Sequence, residues 1–397
     1  MRAVVVALGK IGLPLAVQIA NAGHEVVGCD IDERVVELVR AGDVPFPNEP
    51  GIAEALPIEA TTDTAAAVAG ADLVVLVPPL MVDAGGAPDW RAFDSAVADV
   101  ARGVQAGTTV VIETTVPVGT TRKRVAPQMP ADVHVAFSPE RVSSGRVLRD
   151  LATYPKLVGG LDDAGEERAV ELYRSFITEA DVWPMGSAEA AELTKLAETT
   201  YRDLNIAFAN ELARHADGLG LDVQRVIDAA NSQPYSHIHR PGVAVGGHCI
   251  PVYPRFYLSG DAEARLPGVA REVNEAMPGY AVELLADMLG GLDGTRVLIL
   301  GIAYRGGVKE TAFSGAFPLR DALLSRGAQV IAADPLYDDA ELRALGFEPW
   351  DGEPVEGVIV QADHREYETL EIPADGIVDG RGVVRDSGGV PLKRIGS

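Results

Sequence analysis

The chain has 397 residues, 47% of them hydrophobic, with 34 Lys and Arg against 58 Asp and Glu and a formal net charge of −24 at pH 7. That length exceeds what one hydrophobic core serves and predicts two or three domains, while the acidity excludes a nucleic-acid partner, which needs a clustered basic surface. Two cysteines, Cys29 and Cys249, are too few and too far apart for a disulfide framework or a zinc site, so no metal is expected and a reducing cytoplasm is the simplest setting.

The opening MRAVVVALGKIGLPLAV is apolar, but Gly9, Gly12 and Pro14 interrupt it short of membrane-spanning length. It reads as a strand at 2–7, a turn LGKIGLP and an amphipathic helix LAVQIANAG closed by Gly23. EVVGCDID is the next strand, and the alternation continues through DLVVLVPP, a helix near 91–103, TTVVIETT and VHVAFSPE. Strands alternating with helices predict a doubly wound parallel α/β sheet of Rossmann type.

Between about 186 and 230 the pattern becomes a long helix. Leu193, Leu196, Thr200, Leu204, Phe208 and Leu212 step by three or four along one face, and Glu192, Lys195, Thr199, Arg202 and Asn205 along another. A separate polar stripe usually faces solvent, although the mixed chemistry of this one leaves a site open. From near 294 the order repeats: TRVLILGIAYR as strand and turn, FPLRDALLSRGA as a helix ending at Gly327, and QVIAADP as strand. The expected layout is an N-terminal Rossmann-like domain over 1–185, a central helical region over 186–285 and a C-terminal Rossmann-like domain over 286–397.

The first turn, ALGKIG, keeps the second and third glycines of a G-x-G-x-x-G fingerprint, with Ala7 in place of the first. Gly9 would let backbone approach a pyrophosphate, Gly12 would let helix and strand pack closely, and Asp30 ends the second strand where a carboxylate binds ribose hydroxyls and repels a 2′-phosphate. That favours NAD over NADP. The second half-repeat, GIAY at 301–304 with Asp334, suits a nucleotide-bearing substrate better than a cofactor, because it keeps one glycine. Cys249 stands in GGHCIPVYP, after paired glycines that expose it and before prolines that stiffen its loop, as a nucleophile would be set. Cys29 lies in a strand and reads as structural.

These motifs together resemble the UDP-glucose/GDP-mannose dehydrogenase family. The resemblance runs through LGKIGLPLA, GCDID, EPGIAEAL, IETTVPVGTT, FSPERVSSGR, AELTKLAETTYRDLNIAFANEL, VGGHCIPVYP, AREVNEAMP, VLILGIAYR and IVDGRGVV. PERV, TTYRDLNIAFANEL and GGHCI are most similar to the branch that oxidises UDP-N-acetylhexosamines, UDP-N-acetylmannosamine above all. The resemblance implies a four-electron oxidation of a sugar CH2OH to a carboxylate with two NAD+, through a thiohemiacetal and a thioester on Cys249. It implies Lys195 as the cation facing the oxyanions, Glu140 as the residue that positions water or acts as base, and Thr199 as a further catalytic hydrogen-bond donor. On the cofactor side it implies Gly9, Lys10, Ile11, Gly12, Asp30 and Thr115. Substrate contacts are implied for Glu140, Arg141, Lys195, Gly246, Gly247 and Arg271, the last in an R-x-x-N pattern with Asn274 that a salt-bridged surface arginine would equally explain. It further implies a homodimer built around the long central helix, with no membrane or nucleic-acid partner.

Three positions depart from the family pattern. Thr199 stands where asparagine is usual, Tyr253 where many members have an aspartate, and Ala312 where an arginine reaches toward substrate. Either the chain is a divergent branch with another water-activating arrangement, or the oxidation stops early, acts on another sugar such as UDP-glucose, or has given way to binding alone. His248 could serve as a base or be lodged structurally in its loop.

Overall fold

A computed structural model describes residues 1–46, 49, 51–83, 85–143 and 145–397. Pro50 of the EPGIAEAL stretch and Ser144 of the FSPERVSSGR stretch lie outside the described residues. The chain divides into two compact units, Met1–Glu198 with Arg255–Ala262, and Thr199–Pro254 with Glu263–Ser397. Among the described residues, no helix is long and apolar enough to cross a membrane.

The first unit holds an eight-stranded sheet ordered Val182–Pro184, Lys156–Gly160, His134–Phe137, Thr109–Ile112, Leu73–Leu76, Arg2–Val6, Glu25–Cys29, Glu59–Thr61. The central strands are apolar on both faces, as strands sandwiched between helices must be; Val4, Val5, Val74, Val75, Val110 and Val111 are all fully buried. Helix Gly12–Asn21 covers one face through Leu15 and Ile19 and meets the neighbouring cluster through Leu13 and Val17. The sheet is not wholly parallel. Lys156–Gly160 pairs antiparallel with His134–Phe137, because the chain between them carries only the loop after Phe137 and the short helix Val147–Thr153 instead of a crossover helix over the sheet.

The second unit holds a six-stranded, all-parallel sheet ordered Glu348–Pro349, Gln329–Ala333, Arg296–Leu300, Gly357–Val360, Gly376–Asp379, Leu392–Arg394. Helix Leu266–Leu289 lies across it, and Met277, Ala281, Val282 and Leu285 join Val297, Ile299 and Ile359 in one fully buried cluster. Each such large side chain contributes roughly 1.5–3 kcal/mol by leaving water. The molecule is thus α/β, with two Rossmann-like sheets and a helical region between them in sequence.

The long helical stretch expected from 186 is a 32-residue helix, Ala188–Leu219. Gly220 ends it with a φ of 66°, and Asp222 caps the separate helix Val223–Ala230 by accepting from Gln224 N–H. Its faces follow the expected stripes only in part: Leu196 and Thr200 are buried and Arg202 is exposed as expected, but other positions are reversed. Leu193, Tyr201 and Phe208 are 44%, 56% and 50% exposed, whereas Glu192, Lys195, Thr199, Asp203 and Asn210 are buried beside Ala188, Ala191, Ala207 and Ala213. The polar groups go inward because each meets a specific partner, and the alanines let the helix approach closely.

Candidate active site

In the first unit, strand Arg2–Val6 ends at Ala7, whose φ of 75° is left-handed. Ala7 N–H donates to Cys29 carbonyl at 2.7 Å, and the turn continues with Leu13 N–H to Gly9 carbonyl at 3.1 Å. A Cβ on Gly12 would strike the carbonyl oxygen of Ala7, while one on Gly9 would meet nothing within 4 Å. Gly12 is therefore demanded by packing, and Gly9 leaves open approach to the first turn of helix Gly12–Asn21, with Lys10 and Ile11 half-buried between them. Asp30 accepts from Leu8 N–H at 2.8 Å and from Asp32 N–H at 3.0 Å, which holds its carboxylate at the mouth of this turn. Thr115 is buried just beyond strand Thr109–Ile112.

The same unit brings Glu140 and Lys195 together. Lys195 Nζ donates to Glu140 carbonyl at 2.5 Å and lies 3.3 Å from its carboxylate, with both side chains buried. Arg141 Nε donates to Glu198 at 2.8 Å, and its Nη1 donates to Pro155 carbonyl at 3.1 Å. Glu192 accepts from Gly119 N–H at 2.5 Å and from Thr121 N–H at 2.9 Å; burial pushes its carboxyl above the ordinary range against the pull of these donors. Glu49 accepts from Gly145 N–H at 2.8 Å, tying the EPG stretch to the loop after Glu140.

In the second unit, Gly247 has a φ of 88°, and its N–H donates to Ala312 carbonyl at 2.8 Å. A Cβ there would lie 3.2 Å from the Tyr304 ring, so only glycine fits the turn that leads into Cys249. Cys249 is half-buried and its carbonyl accepts from Tyr253 N–H at 2.9 Å, starting helix Tyr253–Gly260. Cys29 is fully buried, and burial pushes its thiol up to about 12. Beside Cys249, His248 Nε2 pairs with the carboxylate of Glu310.

Arg271 is not on the surface. It forms a buried two-pronged ion pair with Asp203, to which Asn274 also donates at 2.8 Å, and Asn274 in turn accepts from Asn210 at 2.8 Å. Asn210 accepts from Gly242 N–H at 2.9 Å, and Asn205 accepts from His239 N–H at 2.9 Å. The RDLNIAFAN and REVN stretches thus brace the chain that runs into the Cys249 loop. Thr199 is buried at the head of this network's helix segment.

Asp334 of the second half-repeat is turned inward. It accepts from Ile302 N–H at 2.7 Å, Ala303 N–H at 3.0 Å and Leu336 N–H at 2.8 Å, with His364 Nε2 at 3.3 Å. Its carboxylate braces the GIAY turn after strand Arg296–Leu300, much as Asp30 braces the turn of the first sheet. Glu198, Asp203 and Glu310 went unnoticed in the sequence; nothing local marks them, because their partners come from distant segments.

Models of known families match three stretches, each described as UDP-glucose/GDP-mannose dehydrogenase family: the NAD binding domain at residues 1–177, the central domain at 189–276 and the UDP binding domain at 298–386. The chain belongs to the UDP-glucose/GDP-mannose dehydrogenase family. Similar family members include the UDP-N-acetyl-D-mannosamine dehydrogenase of Pyrococcus horikoshii, 32% identical over 97% of this chain and 96% of that protein. The NDP-N-acetyl-D-galactosaminuronic acid dehydrogenase of Ralstonia nicotianae is 30% identical over 96% and 95%. Among solved structures, a UDP-glucose dehydrogenase from Pyrobaculum islandicum superposes with a TM-score of 0.90 at 30% identity, covering 100% of this chain and 97% of that one. The N-terminal turn fits the NAD of the family's first domain: open space over Gly9, a helix N-terminus behind it and a braced Asp30 carboxylate.

Proposed function

We propose that this chain oxidises the C6 hydroxymethyl of a UDP-N-acetylhexosamine to the uronic acid, consuming two NAD+ per turnover. The observation that carries this reading is the contrast between the two thiols. Cys29 is fully buried with its thiol pushed up to about 12, whereas Cys249 is half-buried behind a left-handed glycine in a loop braced from several sides. A binding protein has no need of such a nucleophile. The relatives, UDP-N-acetyl-D-mannosamine and NDP-N-acetyl-D-galactosaminuronic acid dehydrogenases, support the sugar class.

NAD+ supplies the hydride acceptor, held by Gly9, Lys10, Ile11, Gly12, Asp30 and Thr115. The chain's own residues supply the rest. Cys249 adds to the C6 carbonyl carbon as thiolate and later leaves from the thioester. Lys195, fixed by the Glu140 carbonyl at 2.5 Å, offers a preorganised cation to developing oxyanions. Glu140, Thr199, Arg141, Gly246, Gly247 and Arg271 complete the catalytic and substrate-binding set, with Arg271 acting through the Asp203 network that supports the Cys249 loop. We read the chain as domains 1–185, 186–285 and 286–397. We further read it as a cytoplasmic homodimer joined along the exposed Leu193, Tyr201 and Phe208 side of helix Ala188–Leu219, making uronic acids for polysaccharide biosynthesis.

The test counts NADH formed per sugar consumed, with excess NAD+ and limiting UDP-N-acetylmannosamine, UDP-N-acetylglucosamine or UDP-glucose. About two NADH per sugar supports the complete oxidation and names the substrate. A ratio near one means the reaction stops at the aldehyde, as the departures at Thr199, Tyr253 and Ala312 would allow, and no NADH with any sugar overturns the reading.

A further inference from the structure

We propose that His248, held by Glu310, is the base that activates the water which cleaves the Cys249 thioester, with Glu310 as its positioning residue. The proposal rests on the oxidation described under Proposed function and adds the group that completes it.

Thioester hydrolysis needs a base that water can reach beside the acylated sulfur. The residue next to Cys249 carries the one imidazole of the GGHCIPVYP loop, the side chain that most often serves as a general base. The His248 side chain is 52% exposed, so water reaches it, while the Glu310 carboxylate that grips its Nε2 is 10% exposed. A histidine whose Nε2–H points into a carboxylate keeps Nδ1 as the lone-pair nitrogen, and the carboxylate stabilises the imidazolium that forms when Nδ1 takes a proton.

The two loops that carry this pair are locked to one another. Gly247 N–H donates to Ala312 carbonyl at 2.8 Å, Tyr304 N–H donates to Glu310 carbonyl at 2.9 Å, and a Cβ on Gly247 would come within 3.2 Å of the Tyr304 ring. Glu310 is therefore delivered to His248 by backbone contacts on both sides of it, as a working dyad requires and a chance surface ion pair does not.

The step balances without a further reagent. The water oxygen bonds to the thioester carbonyl carbon as its proton passes to His248 Nδ1, and the tetrahedral intermediate collapses with cleavage of the carbon–sulfur bond. Cys249 thiolate leaves, the sugar carboxylic acid ionises, and His248 returns its proton to the thiolate or to solvent.

The test is a rapid-quench experiment on wild-type, His248→Gln, His248→Ala and Glu310→Gln proteins with NAD+ and the sugar that the wild type oxidises. It follows NADH per subunit and the mass of the peptide containing residues 246–254. For His248→Gln we expect a burst of two NADH per subunit, then steady turnover reduced about 100-fold or more, with the sugar acyl group trapped on Cys249. Glu310→Gln should show the same trapping to a smaller degree, and added imidazole should speed release of the adduct in His248→Ala. Wild-type rates in His248→Gln, or burst and steady state falling together with no adduct, overturn the assignment of His248 while leaving the oxidation intact. A wild-type protein that makes no NADH, or only one per sugar, sinks the oxidation and this step with it.

Discussion

Lys195 reaches Glu140 twice, donating to its backbone carbonyl at 2.5 Å and standing 3.3 Å from its carboxylate. The lysine is thereby held in one position by a main-chain atom, independently of the charge on the Glu140 side chain. Lys195→Met should lower kcat by about 10²–10³-fold, the usual cost of losing one oxyanion donor. It should also lower stability by about 3 kcal/mol, since it strands a buried carboxylate. Glu140→Gln, which keeps the carbonyl contact, should keep the unfolding free energy from urea titration within about 1 kcal/mol of wild type while still slowing turnover. Equal stability losses in both variants would show that the carbonyl contact does not matter.

Ala7 has a φ of 75°, and the corresponding position of the second sheet is Gly301 at 96°. Each follows the strand that leads into its turn, and each donates its N–H to the end of the next strand, Ala7 to Cys29 at 2.7 Å and Gly301 to Ala333 at 2.8 Å. The left-handed conformation costs a non-glycine residue about 1–2 kcal/mol, part of which a glycine returns as greater unfolded-state freedom. Ala7→Gly should raise the thermal midpoint by the equivalent of about 0.5–1 kcal/mol and leave NAD+ affinity within twofold. Gly12→Ala should do the reverse, since its Cβ meets the Ala7 carbonyl, with affinity by calorimetry weakened roughly tenfold or more.

The carboxyl of Asp334 is pushed up by burial, but His364 and the N–H groups of Ala303 and Leu336 outweigh that and leave it below its ordinary 3.8. A depressed carboxyl stabilises the fold fully above its unfolded value, and that contribution disappears as pH falls through the lower folded value. Asp334→Asn should cost about 1–3 kcal/mol near neutrality. The gap from wild type should narrow as pH drops below 3.8. A gap that is constant across the acid range would mean that the charge contributes nothing.

Alkylation separates the two cysteines. With iodoacetamide under native conditions, intact mass should show one modification, mapped to half-buried Cys249, and a second on Cys29 only after denaturation, because that thiol is fully buried and pushed up to about 12. Early labelling of Cys29 would contradict its burial.

Exposed Tyr201 and Phe208 lie on one side of helix Ala188–Leu219. If the proposed dimer forms along this side, wild type should sediment as a dimer and Phe208→Asp combined with Tyr201→Lys as a monomer, with little change in the helical signal. An unchanged dimer would place the contact elsewhere.

Much of the architecture was readable in the sequence because it is coded locally. The apolar strand into a glycine turn, the helix after it and the aspartate ending the next strand are neighbours in the chain, and their periodicity and turn chemistry need no distant partner. The same holds for Cys249, set apart from Cys29 by its flanking glycines and prolines. The long helix was not readable in this way. Its sequence shows two stripes, and polarity alone points Leu193 and Phe208 inward and Glu192 and Lys195 outward. The fold does the opposite because Thr121 meets Glu192, Glu140 meets Lys195 and Arg271 meets Asp203. A buried polar group is tolerated only with its partner in place, and those partners arrive from segments far along the chain. Glu310 reaches His248 in the same way. Local pattern could set the elements and the glycine-flanked loop of Cys249, while which polar side chains face inward, and what each one holds, waited on the folding of distant segments against them.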